Sequence, residues 1–97
     1  MLIKATSATA TILIERRIRL SEVRKVIEFA EGSKDQFLNR LTGYFLTSLS
    51  LGRVRYWVEY SKKADFFLVH SAYAHGMKIL EGISKHFKVN NALTDWA

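Results

Sequence analysis

Cationic and aromatic side chains placed at every second position of an extended segment can grip a polyanion, and residues 53 to 63 have that arrangement. In RVRYWVEYSKK, Arg53, Arg55 and Trp57 alternate with Val54, Tyr56 and Val58, and Lys62 and Lys63 follow at the tip. Upstream, ATATILIERRIRL also alternates, with Ile12, Ile14, Ile18 and Leu20 on one side and Leu13, Glu15, Arg17 and Arg19 on the other. If the apolar sides face a layer of helices, the opposite surface is a basic ribbon of Arg17, Arg19, Arg53, Arg55 and Trp57, with Lys62 and Lys63 at its end. Arginine pairs with guanine edges or phosphates, lysine neutralises phosphates, and tryptophan stacks on an unpaired base. The bland alternative is a solvated sheet face on which Trp57 covers a neighbour.

Other chemistries find little support. His70 and His75 are five residues apart, which is not the i, i+4 spacing that sets two imidazoles on one helix face for zinc. His70 lies among Phe66, Phe67, Leu68 and Val69 and reads as a satisfied sheet histidine, and His86 reads as a partner for a helix C-terminus. The nine carboxylates are scattered, and no two are spaced as a paired acid and base. GxSxG, HExxH and GxxxxGK are all absent. With no cysteine, disulfides, thiolate metal sites and cysteine nucleophiles are excluded. No catalytic residue, metal or cofactor is therefore expected.

The elements that must position these residues are readable in outline. Residues 8 to 20 read as a long strand, which Arg16 interrupts with a bend or bulge. Residues 21 to 31 fit a helix through Val23, Val26, Ile27 and Ala30 and a strand through Val23, Ile27 and Phe29, with propensity favouring the helix. Ser33 and Gln36 have the spacing of a capping box, and Phe37, Leu38, Leu41, Phe45 and Leu49 then trace a helix over about 34 to 47. Gly43 leaves open a rival in which that helix stops and a strand follows. Gly52 opens a hairpin, RVRYWVEY returning through a polar loop into FFLVHS, and a last helix covers about 75 to 87 before an anchor at Leu93 and Trp96.

Length and composition bound the whole. Ninety-seven residues, 48% apolar and 25% charged, fit a single domain over 1–97 with a real core. The expected class is α+β, an antiparallel sheet with helices packed on one face. No apolar run is long enough to span a bilayer and the N-terminus lacks a signal-peptide pattern, so an intracellular protein without a membrane partner is expected. Fifteen Lys and Arg against nine Asp and Glu give a net charge of +6, which attracts polyanions if the excess is clustered.

A family resemblance adds to this. Taken in order, KDQFLNRL from Lys34, Tyr44-Phe45, Gly52-Arg53-Val54, ADFFLV from Ala64, ILEGISKHF from Ile79 and LTDW from Leu93 resemble the second part of a LAGLIDADG homing endonuclease domain. The resemblance implies a first hairpin over ATATILIERRIRL and VRKVIEFA, a saddle-shaped sheet on nucleic acid, and an organelle as one setting. It departs from the family at the name-giving helix, since only MLIKATS precedes the first expected strand and no residue matches the metal-binding acid. Such a domain would keep the binding sheet and lose Mg²⁺-dependent cleavage. The expectation is thus a non-catalytic binder of DNA or structured RNA, alone, in a ribonucleoprotein or with a second copy of itself. The alternative is a scaffold protein using the same face for homodimerisation or within a larger complex.

Overall fold

The computed structural model describes residues 1–76. In chain order these form β1 (Ile3–Ala5), α1 (Ser7–Glu15), α2 (Leu20–Ser33), β2 (Phe37–Asn39), β3 (Tyr44–Leu51), β4 (Val54–Lys62) and β5 (Phe67–Gly76). The α+β class stands. The sheet is mixed where an antiparallel one was expected: the strand order is β1-β5-β4-β3-β2, and β1 lies parallel to β5.

The helices replace the strand expected over residues 8 to 20. Thr6 caps α1, its side-chain oxygen accepting from the Thr9 backbone N–H at 3.2 Å, and Thr9 and Leu13, one turn apart, are the residues α1 buries. Ile14, which the alternating pattern placed inside, is 76% exposed. Residues 21 to 31 are helix, in the direction propensity favoured and against the hairpin implied by the resemblance. Val23, Val26, Ile27 and Ala30 are fully buried at i, i+3, i+4 and i+7, each larger side chain contributing roughly 1.5–3 kcal/mol of transfer free energy.

The helix expected over 34 to 47 is absent, for a reason visible at Ser33. Its hydroxyl donates to the Phe29 carbonyl at 2.7 Å and accepts from the Asp35 N–H at 3.2 Å, and Lys34 adopts a left-handed φ of 66°, so the segment closes α2 and opens no new helix. Asn39 then turns the chain, its Oδ1 accepting from the Leu41 N–H at 2.9 Å, and Gly43 completes the reversal at φ 79°. The β2–β3 pair follows: the strand after Gly43 is the one the rival expected, but the helix that the rival kept before Gly43 is replaced by β2.

The hairpin expected from Gly52 onward is present. Gly52 at φ 67° and Arg53 make a two-residue connection between paired Leu51 and Val54, and only the glycine has positive φ, the pattern of a type II′ turn. The pairing of β4 with β5 shifts by one residue at His70, which is left opposite no partner between Val69↔Tyr60 and Ser71↔Glu59. The core lies between the helices and one face of the sheet, where Tyr56, Val58, Tyr60, Val69 and Ala72 meet α2 and Leu13. His75 and Gly76 close β5, correcting the expected start of the last helix; the rest of that helix, with Leu93 and Trp96, lies outside the described residues.

Candidate nucleic-acid interface

Register decides which side chains share a face. Tyr56, Val58 and Tyr60 are buried against the helices, as are their neighbours Thr47, Val69 and Ala72. The side chains between them must point the other way, so Arg55, Trp57 and Glu59 of β4, Ser48 and Ser50 of β3, and Ser71, Tyr73 and His75 of β5 occupy the opposite face. No helix of the described residues covers it. Arg55, Ser50 and His75 form one cross-strand row, and Trp57, Ser48 and Tyr73 form the next.

Arg55 is held in place. It donates to Ser50 Oγ at 2.9 Å and Ser48 Oγ at 2.8 Å, using two of its five N–H donors, and its guanidinium lies 5.8 Å from the Trp57 ring. A second pair stands beside it. Arg16, at the C-terminal cap of α1, reaches round the stretch of β5 that β1 leaves uncovered, donates to the Ala72 carbonyl at 2.8 Å and places its guanidinium 4.5 Å from the Tyr73 ring.

The expected ribbon is therefore redistributed. Arg55 and Trp57 lie on the open face and Arg53 in the turn at its end. Arg17 and Arg19 are not on a strand; Arg17 sits in the α1–α2 connection at φ 59°, and Arg19 caps α2, its N–H held by Glu22. Both still lie at the same end of the molecule as Arg53. The Glu22 carboxyl near the start of α2 is held below its ordinary range by the Arg19 backbone N–H, with Tyr56 contributing, and Glu31 near the helix end accepts from Tyr60, so α2 runs alongside β4 and the α1–α2 connection adjoins the β3–β4 turn. Lys62 departs from the ribbon altogether. Strand alternation turns it to the helix side, where its ammonium is 3.0 Å from Glu31 and 4.8 Å from the Phe45 ring. Lys63 is exposed in the β4–β5 connection, its backbone N–H donating to the Phe66 carbonyl.

Residues missed from the sequence owe their position to the bulge. Unbroken alternation from buried Val69 would turn Tyr73 and His75 inward; the extra residue at His70 reverses the phase, burying Ala72 and sending Tyr73 and His75 out. His70 itself has a polar anchor, its Nε2 2.9 Å from Ser61 Oγ, and its ring is stacked on Tyr44 at 3.6 Å. Burial holds the His70 imidazole below its ordinary pKa against a smaller opposing pull from Glu59. A serine beside a neutral imidazole is a nucleophile–base geometry, but Ser61 is only 7% exposed and its hydroxyl serves to fasten the bulge.

No family model, no curated protein and no solved structure matches this chain. Among the described residues no cluster of His, Asp or Glu is placed to hold a metal, and no helix is long and apolar enough to cross a membrane.

Proposed function

We propose that the chain is a non-catalytic nucleic-acid-binding domain whose sheet face opposite α1 and α2 receives unpaired bases and their phosphates. The observation that supports this most directly is the neighbouring pair of cation–aromatic units, Arg55 with Trp57 and Arg16 with Tyr73, on one sheet face that no helix of the described residues covers. Base stacking on aromatic rings with arginine at the backbone is how sequence-tolerant single-strand binders work. Arg17, Arg19 and Arg53 at the same end add long-range attraction, and Glu59 on the face limits how far a strand can run toward His70.

The test is fluorescence anisotropy with single-stranded RNA, single-stranded DNA, structured RNA and duplex DNA at two salt concentrations. Binding should fall with salt at a slope near about −0.7 per neutralised phosphate on single strands. Arg55→Glu combined with Arg16→Glu should weaken binding at least about tenfold, because each change removes a partner and adds repulsion, while Lys25→Glu on exposed α2 surface should leave it nearly unchanged. A flat salt response, or a Lys25→Glu effect as large as that of the combined Arg55→Glu and Arg16→Glu variant, refutes the reading.

A second reading has its own observation. Leu38 on edge strand β2 and Leu41 in the turn after it are 51% and 96% exposed, which favours a scaffold assembling through that edge. It requires an oligomer in sedimentation, dispersed by Leu38→Lys with Leu41→Lys and indifferent to Arg55→Glu.

A further inference from the structure

β2 stops short. Its last paired residue at this side, Phe37, stands opposite Leu46, so among the described residues β3 beyond Leu46 has no strand on its outer side, and a notch of about 220 Å³ lies there. That volume lies below the roughly 300–1,000 Å³ of pockets for drug-sized ligands and suits a single ring system. Its lining joins the aromatic residues Phe37 and Trp57 to Asp35, Ser48 and Arg55, with Leu46 and Thr47 completing it. Phe37 is 71% exposed at the rim, a large apolar ring open to a partner.

Resting on the reading above, we infer that this notch is a specificity pocket for one unpaired guanine in a bound single strand. Phe37 and Trp57 supply the aromatic surfaces on which a base stacks. The polar lining is of both kinds: Arg55 donates, Ser48 can donate or accept, and Asp35 only accepts. Guanine is the base that matches, because it offers adjacent acceptors at O6 and N7 and adjacent donors at N1–H and the N2 amino group. Adenine and cytosine each set a ring-nitrogen acceptor beside their amino group, which would face the Asp35 carboxylate with repulsion. Uracil offers one N–H flanked by two carbonyl oxygens. Thr47 strengthens the frame, its hydroxyl donating to the Asp35 carbonyl at 2.8 Å and so tethering the segment before β2 to β3.

The probe is a set of heptanucleotides, U7 and U7 with its central base replaced by G, A, C or inosine, titrated against intact protein by Trp fluorescence and anisotropy. The central G should bind roughly tenfold or more tightly than A or C, the size of one good bidentate base contact, and inosine, which lacks the N2 amino group, should fall between them. Asp35→Asn, with its fold checked by circular dichroism, should bring the affinities for the G-centred and A-centred heptamers within about twofold of each other. Equal affinity for G and A, or a preference that survives Asp35→Asn, overturns the pocket while the binding face stands. No binding of any heptamer overturns the face itself.

Discussion

The side chains that fasten α2 to the sheet permit a worked prediction. Tyr60 is fully buried, and its hydroxyl donates to Glu31 Oε2 at 2.7 Å, while Lys62 Nζ lies 3.0 Å from Glu31 Oε1. Replacing Glu31 by Gln keeps the shape and an acceptor for Tyr60 but removes the charge. A hydrogen bond to a charged group contributes about 1.5–3 kcal/mol and a neutral one about 0.5–1.5, so about 1 kcal/mol is lost at Tyr60. Lys62 is 41% exposed and solvent screens its ion pair, which adds only about 0–1 kcal/mol. Glu31→Gln should thus destabilise by about 1–2 kcal/mol, and Glu31→Ala, which orphans the buried hydroxyl, by about 2–4 kcal/mol. The charge effect has a pH window. Burial pushes the Glu31 carboxyl up, but hydrogen bonds from Tyr60 and Lys62 and the nearby ammonium groups outweigh it and hold the group below its ordinary value. A lowered carboxylate contributes stability that is complete above the unfolded pKa, about 4.3, and is lost as pH falls through the folded one. Urea unfolding of wild type and Glu31→Gln at pH 7 and at stepwise lower pH tests this. The gap between the two proteins should be widest at neutral pH and narrow below about pH 4. A gap that stays constant across that range, or Glu31→Ala losing under about 0.5 kcal/mol at neutral pH, refutes the reasoning about the charge.

Two further outcomes can be stated briefly. Gly52→Ala should cost about 1–2 kcal/mol in chemical denaturation, from backbone strain alone, because φ there is 67° and an added Cβ meets no atom within 4 Å; an unchanged midpoint would disprove the turn assignment. Because burial depresses His70, the stability it contributes is complete above the unfolded imidazole pKa near about 6.5 and declines as pH falls through it, so His70→Gln should flatten the stability profile between about pH 7 and 5, and an unaltered profile would contradict this.

Local chemistry made the β3–β4 turn and strand β4 legible. Gly52 can take a conformation other residues resist, and Val54, Tyr56, Val58 and Tyr60 repeat at the strand period with nothing to confuse them. The same reasoning misread residues 8 to 20, where Ile12, Ile14 and Ile18 also alternate. Thr6 as a cap and the Thr9–Leu13 spacing were the competing helical signal, and burial of Leu13 prevailed over the β-branched preference of the segment. Around residue 34 one chemistry served two ends of a helix. A serine that can open a helix can also close one, and Ser33 closes α2 because Lys34 turns left-handed immediately afterwards. Phe37, Leu38 and Leu41, counted toward a buried helical face, are the exposed ones.

For the proposed binding face, alternation alone was sufficient to place Arg55 beside Trp57, since a two-residue period within one strand needs no distant information. It could not place Arg16, Tyr73 or Phe37. Arg16 joins the face by reaching round an edge left bare by a three-residue strand, Tyr73 by a one-residue bulge at His70, and Phe37 by pairing with Leu46 across a turn. Composition and short-range period therefore established the α+β character and one half of the proposed face. Strand order, register and edge coverage supplied the other half, because they depend on which distant segments pair and on how far each pairing extends.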